Sequence, residues 1–259
     1  MQYKFILIFS LVLLSLTSKA IDKKKWHKVW SEEFRGKTID SRWWSAAPRS
    51  RADWSRYQSK DPRCAYQRGG VLYLRGIVND NLESDSVPYL TGGLVSKGKF
   101  SFKHGKIEIR AKLQSAQGAW PALWLLGEKG GWPFNGEIDI MEHLNHDSMI
   151  YQTVHSDYTY NRGGGNNPPK GGTAALNPLV YNIYGVEIYP NKVCFFLNGK
   201  QTFVYPKADP SIEGQWPFDN DFYIILSQQL EGAWVGKADP KQLPVEMLID
   251  YIRVYEPRK

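Results

Sequence analysis

The sequence predicts an all-β fold, a sandwich or barrel of short antiparallel strands, from three observations. β-Branched and aromatic residues recur with period two along most of the chain, the alternation of half-buried strands. No long helical pattern separates these runs, which argues against a parallel βαβ sheet. Roughly 240 residues without a Ser/Pro-rich linker or an internal repeat suit one large sandwich.

The expected strands lie, in order, within 70–78, 98–113, 122–127, 136–142, 149–156, 181–190, 192–205, 221–230 and 246–256. In "KIEIRAKL", Ile107, Ile109, Ala111 and Leu113 are expected to face the core, and Lys106, Glu108, Arg110 and Lys112 to face out. Asn198-Gly199 stands between two apolar runs and marks a hairpin, because both turn positions need positive φ. Two loops interrupt the pattern. One, 47–63, is rich in Arg and aromatic residues; the other, 157–178, is rich in Gly and Pro. Structureless loops of this length are usually functional or disordered, and both are expected to border a binding cleft.

The first 20 residues read as a secretory signal: Lys4, the apolar run Phe5–Leu16, then Ser18 and Ala20 ahead of a cleavage site. The run is too short for a membrane span, so a secreted (periplasmic or extracellular) chain without stable membrane insertion is expected. Residues 21–259 are read as a single domain. The formal charge is +7, and removing Lys4 and Lys19 leaves +5. The basic residues are scattered, which argues against nucleic acid as a partner. Cys64 and Cys194 are compatible with a disulfide or with two buried thiols, and no Cys/His spacing suggests zinc. The chain has 10 Trp, more than one core needs; about half are expected between the sheets, the rest on a binding surface.

The stretch "NGEIDIMEH" (135–143) carries Glu137, Asp139 and Glu142 in a strand-like run. Regular alternation puts Glu137 and Asp139 on one face and Glu142 on the other. A β-bulge at Ile140–Met141 would return Glu142 to the first face. Like charges gathered on one face drive pKa values apart. Two carboxylates in one site are what glycosidic cleavage needs: one attacks the anomeric carbon and the other protonates the departing oxygen. An exposed acidic strand or a calcium site is the alternative from these residues alone. Nearby, Trp120 and Trp124 in "GAWPALWLLG" offer flat faces for sugar rings, and His155 in "TVHSDY" is placed to bond an acid.

"GEIDIMEH" resembles the active-site signature of the family 16 glycoside hydrolases, in the form with one inserted residue. That group includes laminarinase-like, agarase-like, porphyranase-like and mucin O-glycan-cutting enzymes. "WSEEFRG", "YLTGGLVSKGKFSFKHGKIEIRAKL", "GAWPALWLLG", "FFLNGK" and "MLIDYIRVYE" resemble the family in the same order, from Trp30 to Glu256. The resemblance implies a β-jelly-roll sandwich of two curved antiparallel sheets with a concave substrate cleft, in a single catalytic domain. It implies a retaining endo-β-glycosidase, with Glu137 as nucleophile, Glu142 as acid/base and Asp139 assisting. By the resemblance Trp120, Trp124 and His155 would line the site; Trp54, Arg68, Gln228, Gln229 and Trp234 are expected from their own chemistry as further substrate contacts. No catalytic cofactor is implied; a structural calcium at Glu33, Gly70 and Asp250 is. The implied partner is a carbohydrate polymer or glycan, and a monomer is expected.

Glucan-cleaving members carry an Asn and a Gly pair in the segment matching "LSQQLEGAWVG" (226–236), where this chain has Gln228, Gln229 and Glu231. With "VPYLTGG" and the Arg-rich loop (Arg51, Arg56), this resembles members acting on galactose-containing chains, such as mucin-type O-glycans or galactans. The alternatives are an endo-β-1,3(4)-glucanase, a transglycosylase, or a non-catalytic carbohydrate-binding protein on the same fold.

Overall fold

The computed structural model describes residues 25–258, so the apolar segment 1–20 lies outside the described residues. The expected strands form, with further short ones that pattern alone did not single out. In chain order they are β1 (Trp26–Glu32), β2 (Ser45–Ala46), β3 (Ala65–Arg68), β4 (Val71–Val78), β5 (Tyr89–Thr91) and β6 (Gly93–Val95). Next come β7 (Ser101–Phe102), β8 (Gly105–Leu113), β9 (Ala122–Gly127), β10 (Glu137–Glu142), β11 (Met149–His155) and β12 (Gly171–Ala175). The last are β13 (Asn182–Tyr189), β14 (Lys192–Leu197), β15 (Lys200–Pro206), β16 (Phe222–Ser227) and β17 (Val245–Pro257).

They make two antiparallel sheets. One runs β15-β14-β13-β8-β17-β4-β3, with β1 beside β17 and β5 beside β4; the other runs β12-β11-β10-β9-β16-β6-β2, with β7 beside β16. Ile107, Ile109, Ala111 and Leu113 of β8 are fully buried and meet Leu123, Leu125, Ile138 and Val154 of the second sheet in one hydrophobic cluster. Burying such side chains is the main force holding the sheets together. Lys106, Glu108, Arg110 and Lys112 face away and are half-buried.

Segment 98–113, expected as one strand, is two. His104 takes a positive φ of 43° and breaks the run, so Ser101–Phe102 pairs with β16 in one sheet while Gly105–Leu113 belongs to the other. Asn198 (φ 52°) and Gly199 (φ 76°) form the hairpin turn between β14 and β15. The 157–178 loop is not structureless. Ser156 and Thr159 form a capping box that starts a one-turn helix, α1 (Asp157–Tyr160), and β12 pairs with β11. Cys64 and Cys194 are both free and buried.

Candidate active site

The second sheet turns one face to the core and leaves the other open. On β10, Ile138, Ile140 and Met141 all join the core, so two consecutive residues point inward. The register accounts for this. Against β9, Asp139 pairs with Trp124 and Met141 with Leu123; against β11, Asp139 pairs with Thr153 and Glu142 with Tyr151. The extra residue is a bulge, and Glu142 returns to the face of Glu137 and Asp139. All three line a cleft of about 590 Å³ on that face.

Each terminal acid is held by an indole. Trp120 Nε1 donates to Glu142 Oε1 at 2.9 Å, and Trp132 Nε1 donates to Glu137 Oε2 at 2.7 Å. His155 Nε2 lies 3.3 Å from Asp139 Oδ2 and 3.8 Å from Glu137 Oε1. Glu137 and Asp139 are near enough for each to shift the other's titration. Burial pushes all three acids up. Glu137 rises to about 8, through burial and then the charge of Asp139. Asp139 rises to about 7, burial outweighing the influence of Glu137 and the charge of Lys170. Glu142 is raised well above the usual carboxylate range by burial and by Asp139, against the opposing Trp120 bond. Glu142 is therefore biased toward its protonated form. The Glu137–Asp139 pair is suited to share one proton and one charge, and a proton on Asp139 leaves the charge on Glu137.

Aromatic walls frame the acids. Five of the ten tryptophans, Trp54, Trp120, Trp124, Trp132 and Trp234, line the cleft. Trp54 packs edge-on to Trp124 at 4.9 Å, and Trp124 Nε1 donates to Ser227 Oγ at 3.1 Å. Gln229 lines the cleft and donates to Ser227 Oγ at 2.8 Å.

Two expected contacts lie elsewhere. Gln228 alternates to the opposite face, where it is fully buried and donates to the Gln229 carbonyl. Arg68 ends β3 in the other sheet, paired with Val71 and exposed to solvent. The proposed calcium ligands do not fit a cation held by carboxylates. Both oxygens of Glu33 accept from Arg253 at 2.9 Å, and Asp250, the bulged residue of β17, is paired with Arg110. Sequence reasoning missed Trp132, Thr153 and Lys170, which line the cleft. Trp132 lies only five residues before Glu137, and Lys170 was hidden in the loop read as structureless.

Fold and site together define a β-sandwich with a carboxylate triad on the open, aromatic-walled face of one sheet. Comparison agrees. The family model for glycosyl hydrolases family 16 matches residues 59–253, and the chain belongs to that family. It is similar to the keratan-sulfate endo-1,4-beta-galactosidase of Sphingobacterium multivorum, 38% identical over 246 residues, covering 93% of this chain and 58% of that protein. It is also similar to the beta-glucanase of Rhodothermus marinus, 36% identical over 185 residues, covering 64% and 62%. The chain thus spans about three fifths of the length of these two relatives. Among solved structures, the laminarinase of Rhodothermus marinus superposes with a TM-score of 0.81 at 29% identity, covering 90% of this chain and 98% of that one. The match supports the jelly-roll arrangement of the two sheets.

Proposed function

We propose that the chain is a retaining endo-β-glycosidase acting on the internal β-linkages of a carbohydrate polymer or glycan. The observation that carries the reading is the bulge at Ile140–Met141, which sets Glu142 beside Glu137 in one cleft. In the first step Glu137 attacks the anomeric carbon while Glu142 gives its proton to the departing oxygen. Attack requires the shared proton to move to Asp139 and leave Glu137 ionised, the reverse of the resting preference set by their values of about 7 and about 8. In the second step Glu142, now a carboxylate, takes a proton from water, and that water displaces Glu137 from the sugar. The nucleophile and every transferred proton come from these side chains and water. The sequence of residues 1–20 supports action outside the cytoplasm, in the periplasm or beyond.

The preferred substrate is a galactose-containing chain. Likeness to the keratan-sulfate endo-1,4-beta-galactosidase extends over 93% of this chain, and Gln229 and Glu231 stand where glucan-cleaving members carry other residues. A β-1,3(4)-glucan is the second reading, favoured by the structural likeness to laminarinase. Digesting laminarin, mixed-linkage glucan, agarose, porphyran, keratan and mucin O-glycans, with products read by mass spectrometry, separates the two. Keratan or O-glycan fragments that Glu137→Gln does not produce are expected. Release from laminarin alone would move the assignment to glucan, and no product from any substrate would favour a binding protein.

A further inference from the structure

Glu231 lies buried behind the cleft, between the lining residues Gln229 and Trp234, in a conformation that its residue type disfavours. Its φ is +61°, a region where glycine is at ease and other residues are strained. It is buried, and its side chain is fully engaged. Tyr57 Oη donates to Oε2 at 2.8 Å, Lys237 Nζ to Oε2 at 3.2 Å, and the Ala238 amide to Oε1 at 3.2 Å. The neighbouring turn is closed by Gly236 N donating to Gly232 O at 2.9 Å. It is gripped from outside as Ala233 N donates to Asp53 Oδ2 at 2.8 Å. Asp53 and Tyr57 both belong to the 47–63 loop, whose Trp54 enters the cleft.

This turn presents Trp234. The ring is about half exposed and packs edge-on to Trp120 at 5.7 Å and to Tyr151 at 5.2 Å. Trp120 donates to Glu142, and Tyr151 pairs with Glu142 across the strands. The aromatic group therefore surrounds the acid that meets the departing oxygen. Trp132 and His155 flank Glu137 instead.

We infer that Glu231 is a positioning residue, which clamps the Trp234 turn to the 47–63 loop and so builds the subsite for the departing sugar. The inference rests on the proposed glycosidase reading. It gives Trp234 a side of the scissile bond, and it gives the 47–63 loop a role beyond lining the cleft. Glu231 touches no substrate; it acts through the placement of Trp234.

Glu231→Gly tests this, because glycine takes the same φ without strain and releases only the clamp. The first readout is kinetic, on two substrates: a glycan long enough to fill the departing side, and an aryl β-glycoside of the oligosaccharide the wild type releases. We expect kcat/KM on the glycan to fall about tenfold, mainly through KM, and kcat/KM on the aryl glycoside to stay within about twofold. Equal losses on both substrates, or no loss on either, would overturn the inference. The second readout is acrylamide quenching of Trp234 fluorescence, taken as a difference from Trp234→Phe, which needs no turnover. Quenching is expected to rise in Glu231→Gly, and unchanged quenching counts against the clamp. A wild type that cleaves no glycan would sink the proposed function and leave the clamp to be judged by quenching. If Glu231→Gly does not fold, Tyr57→Phe removes the shortest of the clamp's bonds and is held to the same outcomes, at about threefold on the glycan.

Discussion

The indole N–H of Trp132 donates to Oε2 of Glu137 at 2.7 Å. This bond favours the charged carboxylate against burial, which works the other way. Trp132→Phe keeps the aromatic wall and removes the donor. We expect kcat/KM to fall about tenfold and the rising limb of the pH profile to move to higher pH. Trp132 is about two-fifths exposed and sits in a loop, so melting should shift by no more than about 2 °C. A pH series of initial rates with a melting curve checks both.

Burial of the acids also sets how stability depends on pH. Glu137 has an ordinary value near 4.5 and stands at about 8 in the folded chain. The folded state therefore binds this proton more tightly than the unfolded state does. The resulting stability is fully present below about 4.5 and is lost as pH rises through about 8. Glu137→Gln cannot ionise and escapes that loss. It should match the wild type near pH 4 and melt several degrees higher near pH 9. Melting curves across the pH range decide the matter.

Lys170 lines the cleft, and its charge favours ionised Asp139. Lys170→Met should let the Glu137–Asp139 pair hold its shared proton more tightly. The rising limb of kcat/KM against pH is then expected to move up by roughly half a unit, less at high salt. An unchanged profile would mean that Lys170 does not reach the pair.

The strands were legible because their signal is local. Alternation in β8 is strong and the faces assigned to it hold, whereas β9 and β13 were legible as short runs of apolar and aromatic residues. The bulge was legible too, because a third acid out of phase has only one simple way back to its partners. Other features depend on tertiary partners. β12 is rich in Gly and Ala and forms because β11 offers it an edge. Alternation along β16 and beyond puts Ser227 and Gln229 toward the cleft and Gln228 toward the interior. Strict period two therefore separates the glutamines, where resemblance alone had grouped them. Trp132 reaches Glu137 from a loop, where periodicity carries no information. The pairing of Glu33 and Asp250 with arginines depends on strands far apart in sequence.

In the proposed reaction the bulge lets Glu137 and Glu142 act on one bond as nucleophile and acid/base. The stereochemistry of the first product tests it most directly. A proton NMR time course, begun within the first minutes of digestion before mutarotation, resolves the anomeric signals of the new reducing end. Two displacements through Glu137 give the β-anomer first, with the α-anomer appearing only later by mutarotation. The α-anomer appearing first would mean a single displacement by water and would contradict the assignment of Glu137 as nucleophile.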